Sequence, residues 1–230
     1  MIEELAKKLG IEFNDIDLLQ QALTHRSYLN EHRSYKLDHN ERLEFLGDAV
    51  LELVVTEHLY KNFPDHAEGE MTNWRAALVN GEMLAKISKR LGAEEYLLMS
   101  RGEAKDTGRA RQYLLANAFE SIVGAIYLDQ GENGYAVAKD FIKKNVIVEL
   151  AEIIKNKSYL DPKSRFQEES QERVGITPSY RVLEESGPDH DKKFVVGVYL
   201  GEELSAKGEG LSKQEAQRSA AENALKAKGW

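Results

Sequence analysis

Apolar residues recur at helical spacing through the first two thirds of the chain. Past a break that ends in proline they recur at every second position instead. Leu5, Leu9, Leu18, Leu19, Ala22 and Leu23 follow the first pattern, as does a long run from Asn73 to Leu91 that ends at Gly92 after Lys89 and Arg90. Basic residues followed by glycine are a helix stop, and strand-like alternation is absent from this half. The stretch Lys155-Asn156-Lys157-Ser158-Tyr159-Leu160-Asp161-Pro162 loses the period and reads as a connection. Beyond it, Lys163 to Val174 reads as a helix and Ser179 to Glu184 alternates, with Tyr180 and Val182 on one side. Lys193 to Leu200 alternates again, with Phe194, Val196, Val198 and Leu200 on one face, and Gly201-Glu202-Glu203 can close a hairpin to a third strand, Leu204 to Gly208. A last helix from Ser212 to Lys228, capped by Ser212, aligns Ala216, Ala220 and Ala224 as a small-residue stripe able to lie close on a sheet. The predicted fold is an all-α domain over 1–153, a linker over 154–161, and a small α+β domain of order α-β-β-β-α over 162–230.

With 230 residues, 42% of them apolar, the chain can bury a core for each unit. It has no apolar run of the roughly 18 residues that a spanning helix needs. The opening Met1-Ile2-Glu3-Glu4-Leu5 lacks the basic-then-apolar order of an export signal. Cysteine is absent, which excludes disulfides, thiolate metal sites and cysteine nucleophiles. These features predict a cytoplasmic protein with no membrane partner. The net charge of −8 argues mildly against a whole-surface nucleic-acid binder. A few cations on one face can still dominate the local field, so global charge is a weak witness in either direction.

The most informative stretch is Asn40-Glu41-Arg42-Leu43-Glu44-Phe45-Leu46-Gly47-Asp48-Ala49-Val50-Leu51. On a helix, Glu41, Glu44 and Asp48 fall within about 60° of one another, and Leu43, Leu46, Val50, Leu53 and Val54 fall roughly opposite. Like charges at three- and four-residue spacing destabilise a helix by a few tenths of a kcal/mol each, a cost that a bound cation reverses. Hard oxygen ligands of this kind suit magnesium or manganese. A second helix places Asn117 and Glu120 on one stripe, with Gly124 continuing it and allowing another helix to approach, while Ala118, Ile122 and Ile126 form the apolar side. A third acidic piece, Glu68-Gly69-Glu70-Met71, is expected in a loop before the Asn73 helix. An acidic stripe is more often a solvated face than a site, and spacing alone does not separate the two. The six histidines are scattered, and none is assigned a catalytic role.

The run Glu41-Arg42-Leu43-Glu44-Phe45-Leu46-Gly47-Asp48 resembles the signature of the ribonuclease III family. The likeness extends to Ala22-Leu23-Thr24-His25-Arg26-Ser27-Tyr28, to Glu68-Gly69 with Met71, to Leu115-Ala116-Asn117-Ala118-Phe119-Glu120 and to Gly124-Ala125-Ile126-Tyr127-Leu128-Asp129. Asp161 to Lys228 resembles the double-stranded-RNA-binding domain of bacterial members. The resemblance implies a dimeric helical nuclease that cleaves double-stranded RNA in rRNA or mRNA precursor processing, each subunit cutting one strand and leaving 5′-phosphates, 3′-hydroxyls and short 3′ overhangs. It implies that Glu44, Asp48 and Glu120 hold Mg2+, or Mn2+ in its place, that Glu41 and Glu68 are further acids near the cleavage site, and that Phe45 packs across the dimer. In the RNA-binding domain it implies contacts from Gln167 and Glu168, from His190 in the loop Gly187-Pro188-Asp189-His190, and from Lys213, Gln214 and Gln217 at the start of the last helix, whose N-terminus favours phosphate.

Two positions depart from the family pattern. Asn117 stands where aspartate is usual. It keeps a carbonyl oxygen for a metal or its water but loses one negative charge. Two readings stay open: an enzyme with weaker metal affinity, or a protein of the same fold that binds RNA and cuts it poorly. A scaffold role fits less well with retention of Glu44, Asp48 and Glu120. Gln214 stands where a second lysine is common, which removes one cation from the RNA-binding face.

Overall fold

The computed structural model describes residues 2–188 and 192–230. The chain divides into two compact units, Met1–Ile154 and Lys155–Trp230. The first is helical: α1 (Ile2–Leu9), α2 (Ile16–Ala22), α3 (Arg26–Glu31), α4 (Glu41–Asn62), α5 (Glu68–Val79), α6 (Gly81–Arg90), α7 (Arg109–Asp129), α8 (Gly134–Asn145) and α9 (Leu150–Lys155). At its centre is α7, in which every residue from Leu114 to Ile126 except Asn117 and Glu120 is buried. A helix apolar nearly all round belongs in an interior. The two exceptions are its polar site candidates.

Helices α4 and α7 meet at backbone distance. A Cβ added to Gly47 would lie 1.7 Å from the Glu120 carbonyl oxygen, and one added to Gly124 would lie 2.2 Å from that of Leu43. The close approach expected of Gly124 is thus present, with Gly47 as its counterpart. Gly47→Ala forces the two helices apart. We expect a loss of about 3 kcal/mol, the upper end of the usual cost of overpacking, read as a lowered denaturation midpoint with Glu44 and Glu120 still in place in sequence.

Asn40, 3% exposed, anchors the start of α4. Its backbone N–H donates to the Thr24 carbonyl at 2.9 Å, its side chain donates to the Ala22 carbonyl at 3.3 Å, and its own carbonyl accepts from Ser121 at 3.4 Å. At the far end of α4, Glu57 accepts hydrogen bonds from Lys61 and Tyr135, and from Lys139 at 2.7 Å, tying α4 to α8. Lys139, Lys61 and Tyr135 together lower the Glu57 carboxyl from its ordinary value to about 2. A depressed carboxyl contributes stability above its unfolded pKa that is lost as pH falls through the folded one. Glu57→Gln is therefore expected to lower the thermal midpoint above pH 5, with the difference from the natural chain closing as pH approaches 2.

Several expectations for this unit are corrected. The run from Asn73 to Leu91 is two helices, because Asn80 leaves helical geometry and caps α6 by accepting from the Met83 N–H at 2.9 Å. Glu68 opens α5 rather than lying in a loop before it. Leu53, expected among the buried residues of α4, is exposed.

The second unit comprises α10 (Pro162–Val174), β1 (Ser179–Ser186), β2 (Lys193–Leu200), β3 (Glu203–Gly210) and α11 (Lys213–Lys228), with an antiparallel sheet of order β1-β2-β3. Phe194, Val196, Val198 and Leu200 of β2 are buried as the alternation predicts, and so are Ala216, Ala220 and Ala224 of α11. The alanine stripe lies directly on β3, where a Cβ on Gly208 would come within 2.0 Å of the Ala220 nitrogen. Ser212 caps α11 through the Glu215 N–H. Strands β1 and β3 run two residues longer at their C-terminal ends than their alternation indicates, and β3 starts one residue earlier. Val182, expected on the same side as Tyr180, is exposed, and the register of β1 slips between Val182 and Glu184. Among the described residues no helix is long and apolar enough to cross a membrane.

Candidate active site

The Gly47–Gly124 contact brings the polar stripes of α4 and α7 face to face. Glu44 and Asp48 lie one turn or less from Gly47, and Asn117 and Glu120 precede Gly124 on the opposing helix. Their mutual influence is direct. Burial raises the Glu120 carboxyl to about 7, and the charges of Asp48, Glu44 and Glu52 push it the same way. Burial also raises Glu44, reinforced by Glu41 and Asp48, while a hydrogen bond donated by the Asn117 side-chain amide offsets part of the rise. A pocket that lifts carboxyl groups in this way has negative charge in excess of what it can neutralise. This is the electrostatic condition for taking up a cation.

Among the described residues no three His, Cys, Asp or Glu side chains form a ready metal-binding group. Asn117, the other polar residue on the α7 stripe, is an amide whose N–H is turned toward Glu44. The donor set itself, three carboxylates and an amide carbonyl with no sulfur, fits a hard divalent cation such as magnesium.

Other predicted residues lie around this group. Glu41 is at its rim, its carboxylate 3.4 Å from Arg26 and 3.8 Å from His39. Glu68 is not among the charges acting on Glu44 or Glu120. It accepts from Thr72 at 2.9 Å and lines a separate concavity of about 220 Å³ with Tyr60, Met71 and Arg75. Phe45 points into solvent, 82% exposed, beside a hollow of about 630 Å³ formed by Leu18, Leu43, Leu46 and Leu128 with polar neighbours. In the second unit Gln167, Glu168, Lys213 and Gln214 are exposed, and Gln217 is half-buried. His190 and Asp189 lie outside the described residues.

One acid beside this group is not singled out by the sequence reading. Glu52 continues the stripe of Glu44 and Asp48 one turn further, and its charge reaches Glu120. It pairs with Arg75 of α5 at 3.0 Å, and Arg75 also donates to Thr56 at 3.0 Å. The four-residue spacing after Asp48 was the available signal. The cation that holds Glu52, Arg75, lies 23 residues further along the chain and carries no local signature.

The fold and site define a helical domain with an acid cleft, followed by an α-β-β-β-α module. Residues 15–150 match the Ribonuclease-III-like family and residues 162–228 the double-stranded RNA binding motif. The protein named Ribonuclease 3 from Enterococcus faecalis is 45% identical over 223 residues, covering 97% of this chain and 95% of its own length. Its namesake from Borreliella afzelii is 43% identical, covering 98% and 91%. The nuclease domain of ribonuclease III from Campylobacter jejuni, in a structure concerned with a region involved in dimer formation, superposes with a TM-score of 0.55 at 44% identity, over 63% of this chain and 98% of that one. The chain belongs to the ribonuclease III family.

Proposed function

We propose that this protein is an endoribonuclease that hydrolyses phosphodiester bonds of double-stranded RNA, with Mg2+ as its metal, Mn2+ substituting, and Glu44, Asp48, Glu120 and the Asn117 carbonyl oxygen as ligands. The observation that carries the reading is the convergence of Asp48 and Glu44 charge on Glu120 across the α4–α7 contact. A bound dication supplies an activated water and stabilises the leaving alkoxide. The chain's part is to hold and orient. Burial of Glu120 and Glu44 excludes water that would otherwise screen their charge. The Gly47–Gly124 contact fixes the spacing of the two stripes. Glu41, leaning on Arg26 and His39, adds negative potential at the edge of the cleft. The products are 5′-phosphate and 3′-hydroxyl ends, and the substrates are rRNA and mRNA precursors.

The active form in this reading is a homodimer in the cytoplasm. An aromatic ring 82% exposed next to an apolar hollow is the arrangement expected where one copy's Phe45 seats on a second copy. Residues 154–161 serve as the connection between the nuclease and RNA-binding domains, and Gln167, Glu168, His190, Lys213, Gln214 and Gln217 contact the duplex.

Purified protein incubated with a long labelled duplex, with magnesium and then with a chelator, tests the assignment. Cutting only with magnesium supports it. Magnesium-independent cutting contradicts it. Tight binding with no cutting in either metal favours the second reading, a double-stranded-RNA-binding protein of the same fold. What supports that alternative is the Asn117 amide, which presents a donor to Glu44 in place of a charge.

A further inference from the structure

The first turns of α11 carry Lys213, the neutral Gln214 and Gln217, and Arg218, whose charge is shared with Glu222 at 3.3 Å. In a chain of net charge −8, this is a thin supply of cations for a surface meant to meet phosphates. A second ammonium reaches the same place from another helix. Lys163, in the first turn of α10, donates to the Gln217 Oε1 at 2.7 Å and stands 5.2 Å from the centre of the Tyr180 ring. Lys213 stands 5.6 Å from the centre of the Phe194 ring. Tyr180 and Phe194 both pack in the small cluster around Ala216, so the two ammonium groups flank one aromatic platform at the start of α11.

This arrangement holds charge without cancelling it. Ring faces attract an ammonium but do not neutralise it. The neutral Gln217 oxygen uses one of the three donors of Lys163 and leaves the others available. Among the described residues neither ammonium is ion-paired with a carboxylate. The N-terminal end of α11 adds partial positive charge to the same patch.

We propose that Lys163 contacts a backbone phosphate of duplex RNA and supplies the cation that Gln214 and Gln217 do not. The inference rests on the reading of the second unit as a duplex-RNA-binding domain. Within that reading, Gln217 acts on RNA through Lys163, as its positioning acceptor.

The test is the salt dependence of binding by the full-length protein to a labelled RNA duplex, without divalent metal, from about 50 to about 200 mM salt. Each phosphate contact contributes close to one unit to the slope of log affinity against log salt. Lys163→Gln is expected to reduce that slope by about one unit and to weaken binding at the lowest salt about threefold to tenfold. Gln217→Lys in the Lys163→Gln background is expected to restore the slope. Lys226→Gln, in the last turn of α11, is expected to leave it unchanged. An unchanged slope in Lys163→Gln overturns the proposal even if affinity falls, since that is the signature of a structural role. An equal loss in Lys226→Gln also overturns it, because the cations would then act only collectively. Failure of the natural chain to bind duplex RNA at all defeats the underlying reading and the proposal with it. Thermal melting of each variant at the natural midpoint confirms that the fold is intact.

Discussion

Glu120→Gln is expected to reduce duplex cleavage on the order of 10³-fold, the scale seen when one preorganised charge-stabilising group is removed from a site, while duplex binding stays within about twofold. Glutamine keeps the shape and hydrogen-bonding reach of glutamate and removes only the charge. That charge sits where burial and the acids at 44, 48 and 52 already oppose ionisation. It is held there by the α4–α7 contact. RNA affinity is assigned to the other compact unit, Lys155–Trp230, and has no reason to follow. Single-turnover cleavage and metal-free binding, measured on the same preparation, check both halves. Equal loss of cleavage and binding would contradict this division of labour.

Asn117→Asp is expected to lower the magnesium concentration for half-maximal cleavage by roughly 10-fold, within the 10- to 100-fold range by which outer partners of a metal site alter affinity. Two effects of the substitution oppose each other in the absence of metal. The new carboxylate adds attraction for a dication. It also removes the amide donor that now relieves Glu44 and replaces it with a fourth like charge. The variant should therefore melt at a lower temperature than the natural chain without metal, and gain more from added magnesium. Manganese should narrow the activity gap between the two proteins. If the variant matches the natural chain in metal dependence and in both melting curves, the coordination role given to residue 117 is wrong.

Much of the fold was legible because it depends on local periodicity. The β2 alternation and the Ala216, Ala220, Ala224 stripe each report one face of one element, and both were buried as expected. Helical spacing put the acids at 44, 48 and 120 on stripes that do act on one another across the α4–α7 contact, the close approach of which Gly124 indicated. What escaped depended on partners distant in sequence. Glu52 looks like any surface glutamate until Arg75 arrives from α5. Lys163 shows no purpose until Gln217 meets it from a helix more than fifty residues away. Leu53 and Val182 fit their patterns yet are exposed, because no element covers them. The break at Asn80 was signalled by an Asn-Gly pair, but unbroken apolar spacing from Asn73 to Leu91 concealed it.

Calorimetric titration of Mn2+ into the RNA-free protein and into Glu44→Gln, Asp48→Asn, Glu120→Gln and their combinations is the most direct test of a shared cation bound across the cleft. The account predicts that each single change weakens binding at least about tenfold, and that the second and third add little once the first is made. Undiminished Mn2+ affinity in any of the three, or losses that add independently, would contradict it.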